Sequence, residues 1–171
     1  MVRKICLTLA LALTAAPAFA ADYKVSLGPM PLDDETKQFI AGRGTATATS
    51  DGKTLTVTGD FHGLPSNATE AHVFLSPVTG VPGKSVADLD VTKSTSGTIS
   101  GNVKLNSADA TALRTGRLYI QIDSEKAPTD DAPWGPKGTL WGWVFPAHET
   151  AGQDVPQQDH WFIPQLDTPS R

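Results

Sequence analysis

The sequence has very little cysteine and no run of basic residues. Its single cysteine among 171 residues, Cys6, lies in an N-terminal apolar run that we expect to be removed, so the mature chain can form no disulfide and offers no thiol for catalysis. Tracts of Lys or Arg are absent, and the formal net charge is −4. These features argue against nucleic acid as a partner. A Gly-x-Ser-x-Gly motif is also absent, which argues against a serine hydrolase with a nucleophile elbow.

The first 20 residues have the composition of a secretory signal. Arg3 and Lys4 form a short basic start, an apolar run follows, and Ala18-Phe19-Ala20 places small residues where signal peptidase reads them. The apolar run is short for a membrane span. We expect cleavage after Ala20 and a periplasmic or secreted mature protein without a membrane span. Losing two basic residues from a chain of charge −4 would leave a mature charge of −6.

The rest of the chain alternates between polar and apolar residues in short segments, which is typical of β-strands. Two threonine-rich segments flank Asp51-Gly52, a pair suited to a tight hairpin turn. The clearest helical signal lies between Ser107, a candidate N-cap, and Gly116, a candidate left-handed terminus. This pattern predicts an all-β fold, an antiparallel β-sandwich or immunoglobulin-like barrel with one short helix. The predicted strands are residues 23–27, 45–49, 54–58, 71–75, 86–91, 98–105, 118–123 and 139–145.

We expect a single domain in the mature chain, because about 150 residues can bury a hydrophobic core without disulfides. After the signal peptide at 1–20, residues 21–43 would supply an N-terminal strand and an acidic loop of that domain. Residues 44–145 would form its main β portion, and residues 146–171 a polar C-terminal tail.

A series of motifs follows in an order that resembles one known family. The chain reads GTATATSDGKTLTVTGDFHGL, TEAHVF, VADLDV, GTISGNVKL, ADATALRTG, LYIQIDSEKAP and LWGWVF over about residues 44–145. This order and spacing resemble the CHRD domain, the module named for its repeats in chordin, which also occurs alone in secreted bacterial proteins. The resemblance implies an extracellular all-β domain, used in chordin to bind other proteins, and no established reaction. The family pattern has AHIHG where this chain has AHVFL, so His72 matches its first histidine and Phe74 replaces the second.

His72 lies in the middle of an otherwise apolar predicted strand. Such a histidine can hydrogen-bond a backbone carbonyl or an acid, or it can bind a metal ion. A site made of His62, His72 and Asp123 would suit zinc or copper. The structural role is the favoured interpretation, and no cofactor is expected.

Aromatic residues are concentrated in the last predicted strand and its neighbour. One face of the last predicted strand carries Trp141, Trp143 and Phe145. Tyr119 lies on the predicted strand before it. Facing outward, they would form a binding platform for a protein or a glycan; facing inward, they would be core. The core interpretation is favoured, because large aromatic side chains dominate cores.

Together these observations predict an exported, non-enzymatic CHRD-type domain that acts as a binding or structural module for a protein or glycan ligand. The alternative is a metal-binding protein centred on His72, with a redox role if the ion is copper.

Overall fold

The computed structural model describes residues 20–30, 40–126 and 138–147. Most of the predicted signal peptide, acidic loop and tail lie outside these ranges. Strands β1 to β6 span Ala21–Pro29, Arg43–Ser50, Thr54–His62, Ala68–Leu75, Lys84–Val91 and Gly97–Lys104. Helix α1 spans Ser107–Arg114, and strands β7 to β9 span Leu118–Ser124, Gly138–Trp143 and Phe145–Pro146.

The strands form a closed antiparallel barrel. Neighbouring strands follow the order β2-β3-β6-β5-β4-β7-β8-β1 around the barrel, and pairing of β1 with β2 closes it. Strand β1 is therefore bonded on both sides: Tyr23 lies opposite Ala48 of β2 and opposite Pro146 of β9. Strands β8 and β9 pair with β1 in one continuous register. The predicted antiparallel all-β class is confirmed, but the immunoglobulin-like sandwich is not, because β1 joins the two sheets and leaves no open edge there.

The threonine-rich hairpin is confirmed, with a small shift of its turn. Thr47 is exposed on the outer face of β2 while Ala46 and Ala48 face the interior. The Asp51 N–H donates to the Thr54 carbonyl at 3.3 Å, so the connecting residues are Gly52 and Lys53, one position later than predicted. Gly52 has a φ of +86°, which glycine adopts readily. The Asp51 carboxylate accepts the N–H groups of Lys53 and Thr54, and these bonds lower its pKa.

The barrel interior is filled by side chains, as expected for so few strands. Its buried members include Leu27, Leu55, Val57, Phe61, Ile99, Ile120 and Leu140. Glycines occupy inward positions where strands approach closely. A Cβ at Gly142 of β8 would lie 2.5 Å from the Ser26 carbonyl oxygen of β1. We call the pairing of β1 with β8 the seam. Its close backbone approach requires a residue without a side chain at position 142.

Helix α1 begins one residue earlier than the sequence indicated. Asn106, not Ser107, is the N-cap: its Oδ1 accepts the N–H groups of Ala108 and Asp109 at 2.8 and 3.0 Å. The Asp109 carboxylate accepts the Asn106 N–H in return, which completes a capping box. The left-handed terminus at Gly116 is confirmed by its φ of +65°. Within the described ranges, no helix has the length and apolar character needed to cross a membrane.

Replacing Gly142 with Ala should lower the free energy of unfolding by about 1–3 kcal/mol, because the added methyl group overlaps the β1 backbone. Gly28 is the matched control in the same seam, since nothing lies within 4 Å of a Cβ built there and its φ is not left-handed. Gly28→Ala should change stability by less than about 0.5 kcal/mol. Urea unfolding of both variants measures the difference, and equal losses would contradict this account of the seam.

Replacing Asn106 with Ala should cost about 1 kcal/mol of stability, because two helix N–H groups lose their acceptor. Ser107→Ala should cost much less, since Ser107 lies inside the helix and Ala favours that position. Thermal unfolding of the two variants compares the sites. A larger loss of stability in Ser107→Ala than in Asn106→Ala would indicate that Ser107 is the N-cap.

Candidate functional site

A row of polar side chains crosses the outer face of β5, β4 and β7. Strand alternation turns Ala71 and Val73 into the barrel and His72 outward. In the strand registers His72 lies opposite Asp88 of β5 on one side and opposite Gln121 of β7 on the other. The His72 side chain is 19% exposed, so solvent reaches it from the outer surface.

Pairing is irregular on both sides of Asp123, the next outward-facing residue of β7 after Gln121. On β4, Thr69 and Glu70 together occupy the space opposite Asp123, because the β4–β7 register shifts there. On β8, Thr139 is the extra residue in the register shift beside Asp123. Such β-bulges redirect side chains and are common beside functional sites. Glu70, two residues before His72, and Asp123, two residues after Gln121, lie on the same outer face as His72, and the bulges flank them.

Glu70, His72 and Asp123 converge closely enough to hold one ion. Each offers a ligand atom, and the three atoms lie within 4.8 Å of one another. Nε2 of His72 is 3.4 Å from Oε2 of Glu70, and Nδ1 is 2.8 Å from Oδ1 of Asp88. Gln121 donates from Nε2 to Oδ1 of Asp123 at 2.9 Å, which orients that carboxylate. The acid bonded to His72 is on the surface, since the Asp88 side chain is 88% exposed.

The structure brings together two of the three residues considered as an alternative metal site. His72 and Asp123 lie in the cluster, but His62 does not belong to it. His62 is exposed at the end of β3, and β6 and β5 separate β3 from β4. Glu70 is the residue that sequence reasoning missed. It precedes His72 by two positions, and residues at that spacing share a strand face, so the signal was present in the sequence.

The predicted aromatic stripe forms a second apolar cluster on the outside of the barrel. Tyr119, Trp141 and Trp143 are only 1–4% exposed, and Phe74 and Phe145 are partly buried against them. We call these five residues, with Met30 and Ile40, the outer aromatic cluster. The stripe thus faces away from the barrel interior and is nevertheless buried.

The outer aromatic cluster adjoins the polar site through Phe74. Phe74 stacks on Tyr119 with ring centroids 5.0 Å apart, and its ring meets the His72 ring edge-on at 5.9 Å. Tyr119 in turn lies 4.7 Å from Trp143. The polar site therefore has an apolar wall on one side, which restricts the orientations open to the His72 ring.

Both tyrosines of the chain are buried, Tyr23 in the barrel core and Tyr119 in the outer aromatic cluster. Burial raises the pKa of Tyr119, the N–H of Gly83 partly opposes that rise by donating to its hydroxyl at 3.1 Å, and the charge of Asp123 adds to it. Burial likewise raises the pKa of Tyr23, and the nearby Arg114 partly opposes it.

A comparison of the sequence with protein families finds a match. The model of the CHRD domain matches residues 29–130, a span that includes Glu70, His72, Asp88 and Asp123. Comparison with the curated proteins and with the solved structures finds no match.

Replacing Tyr119 with Phe should make stability less sensitive to alkaline pH. The pKa of Tyr119 in the folded state is raised above its ordinary value of 10.0. Its contribution to the free energy of unfolding is therefore fully present below pH 10.0 and is lost as the pH rises through the folded-state pKa. At neutral pH the variant should lose about 0.5–1.5 kcal/mol, since the Gly83 N–H loses its acceptor. Urea unfolding from neutral pH to above pH 10.0 measures the loss at neutral pH and the alkaline slope. Tyr23→Phe is measured for comparison. An unchanged alkaline slope in Tyr119→Phe would contradict the expectation.

Proposed function

This chain belongs to the CHRD domain family, and we propose that it is an exported, non-enzymatic β-barrel module whose ligand is a divalent transition-metal ion. The observation that carries the proposal is the convergence of Glu70, His72 and Asp123, whose ligand atoms lie within 4.8 Å of one another. Export rests on the signal-like first 20 residues.

The distances between these ligand atoms are close to those that a zinc ion requires. Zinc binds histidine nitrogen and carboxylate oxygen at about 2.0–2.2 Å, so neighbouring ligand atoms around a tetrahedral ion are about 3.3–3.5 Å apart. His72 Nε2 and Glu70 Oε2 are already 3.4 Å apart. Asp123 offers an oxygen within 4.8 Å of both, so at most about 1.5 Å separates it from that spacing. Glu70 can adjust as well, because its side chain is 64% exposed.

The types of ligand favour a transition metal over calcium or magnesium. Calcium and magnesium bind oxygen ligands, whereas an imidazole nitrogen suits zinc or copper. The two carboxylates of Glu70 and Asp123 would balance the charge of a divalent ion. Their oxygens lie within 4.8 Å of each other, and a cation between them relieves the repulsion of like charges. Zinc is the ion we propose, and copper is the alternative.

A protein ligand, which the family resemblance implies, or a glycan, which the aromatic stripe suggested, has less support from the geometry. Its platform would be the face carrying Trp141 and Trp143, with Tyr119 and Phe145 beside it. Three of these side chains are at most 4% exposed, and Phe145 packs against them. The proposal therefore rests on the polar site and not on the outer aromatic cluster.

Zinc should stabilise the metal-free wild-type protein and leave the His72→Ala variant unaffected. A ligand at 100 times its dissociation constant adds about 2.7 kcal/mol to stability, and a chelator should abolish that gain. His62→Ala is the matched control, because His62 is an exposed histidine outside the cluster, and it should respond to zinc as the wild type does. Melting curves with zinc, with copper(II) and with chelator, together with elemental analysis, make the comparison.

Two outcomes would contradict the proposal. A wild-type protein whose melting curve shifts with neither ion nor chelator has no such site. A zinc response that survives in His72→Ala places the ion at other residues. A stronger response to copper(II) than to zinc would favour the copper alternative.

A further inference from the structure

Asp88 lies outside the three-residue cluster but contacts its histidine directly. The β4–β5 register places Asp88 opposite His72, and Oδ1 of Asp88 is 2.8 Å from Nδ1 of the ring. A carboxylate can only accept a hydrogen bond, so the proton of this bond belongs to Nδ1. In a neutral ring the lone pair is then on Nε2, which is the atom 3.4 Å from Glu70.

We infer that Asp88 is a positioning residue for the metal site: it holds His72 in the tautomer with Nδ1 protonated and directs Nε2 toward Glu70 and Asp123. This inference rests on the proposed function, since it assigns Asp88 a role at the same site. Metal-binding histidines commonly donate their second nitrogen to a carboxylate, which fixes both the tautomer and the ring orientation.

The neighbours of His72 explain why the hydrogen bond to Asp88 is needed to set the position of the ring proton. The edge-on contact with Phe74 restrains one side of the imidazole without any polar bond. Gln121, opposite His72 on β7, donates its amide to Asp123. Within the described part of the chain, Asp88 is the residue that makes a hydrogen bond of ordinary length to the His72 ring. Without Asp88, the ring proton can move to Nε2, the atom that has to bind the ion.

An exposed acid could also favour a cation through its charge alone, and the same strand supplies a control for that effect. Asp90 lies two residues after Asp88, so it shares the outer face of β5, and it is exposed. It pairs with Ser100 of β6, on the side away from β4. Asp88→Ala and Asp90→Ala remove the same charge from the same strand, but only the first removes the contact with His72.

The test combines nitrogen NMR of the His72 ring, in its neutral form and without metal, with calorimetric titration of zinc into each protein. We expect Nδ1 to carry the proton in the wild type and in Asp90→Ala. In Asp88→Ala we expect the proton to populate Nε2 and zinc affinity to fall about 10–100-fold. Asp90→Ala should bind zinc within about twofold of the wild type, since exposed charges are screened by salt. Melting curves of both variants check that they are folded.

The outcomes separate this inference from the proposed function. A wild-type ring with the proton on Nε2 overturns the role of Asp88, whatever the zinc result. Equal loss of zinc affinity in Asp88→Ala and Asp90→Ala also overturns it, because charge alone would then explain the effect. If the wild type binds no zinc, the proposed function fails, and the inferred role toward a metal fails with it. The NMR result would then show only whether Asp88 sets the tautomer.

Discussion

The double pairing of β1 is the constraint on which the rest of the structure depends. Because β1 bonds to β2 on one side and to β8 and β9 on the other, the sheet closes and every strand acquires an inner and an outer face. Closure also brings the backbones of β1 and β8 close together, which glycine at position 142 permits. The fold thus holds a packed interior without any disulfide in its described part, as the shortage of cysteine requires.

Closure creates an outer surface with two different characters. On β2 and β3 the outer face carries exposed threonines and is in contact with water. On β7 the outer positions are buried as well, since Tyr119 packs into the outer aromatic cluster and Gln121 and Asp123 lie beside it. Buried polar groups have to be satisfied, and the Gln121 amide and the Asp123 carboxylate satisfy each other in part. The polar site therefore lies where an apolar outer surface meets an acidic one.

The position of the polar site explains how one histidine can have both roles considered for it. Its Nδ1 side is bonded to an acid, as in the structural interpretation, and its Nε2 side faces the Glu70 carboxylate of the three-residue cluster, as in the metal interpretation. These roles do not compete, because the two ring nitrogens point to different neighbours. Alternation provides the second half of the arrangement, since Glu70 precedes His72 by two residues and Asp123 follows Gln121 by two. Both carboxylates therefore lie on the outer face beside His72, where bulges interrupt the pairing.

Much of the fold and half of the site could be predicted from alternation along the chain, and the remainder depended on pairing between distant segments. Alternation along the chain locates most strands, turns the threonines of β2 outward and puts Glu70 on the face of His72, because it is a local property with a period of two. Pairing between distant strands decided that the sheet closes into a barrel, that Asp88 lies opposite His72 and that His62 stays apart. It also decided that Trp141 and Trp143 are buried on the outside. The physical reason is that strand register and closure are set by hydrogen bonds between residues far apart in the chain, which local composition does not encode.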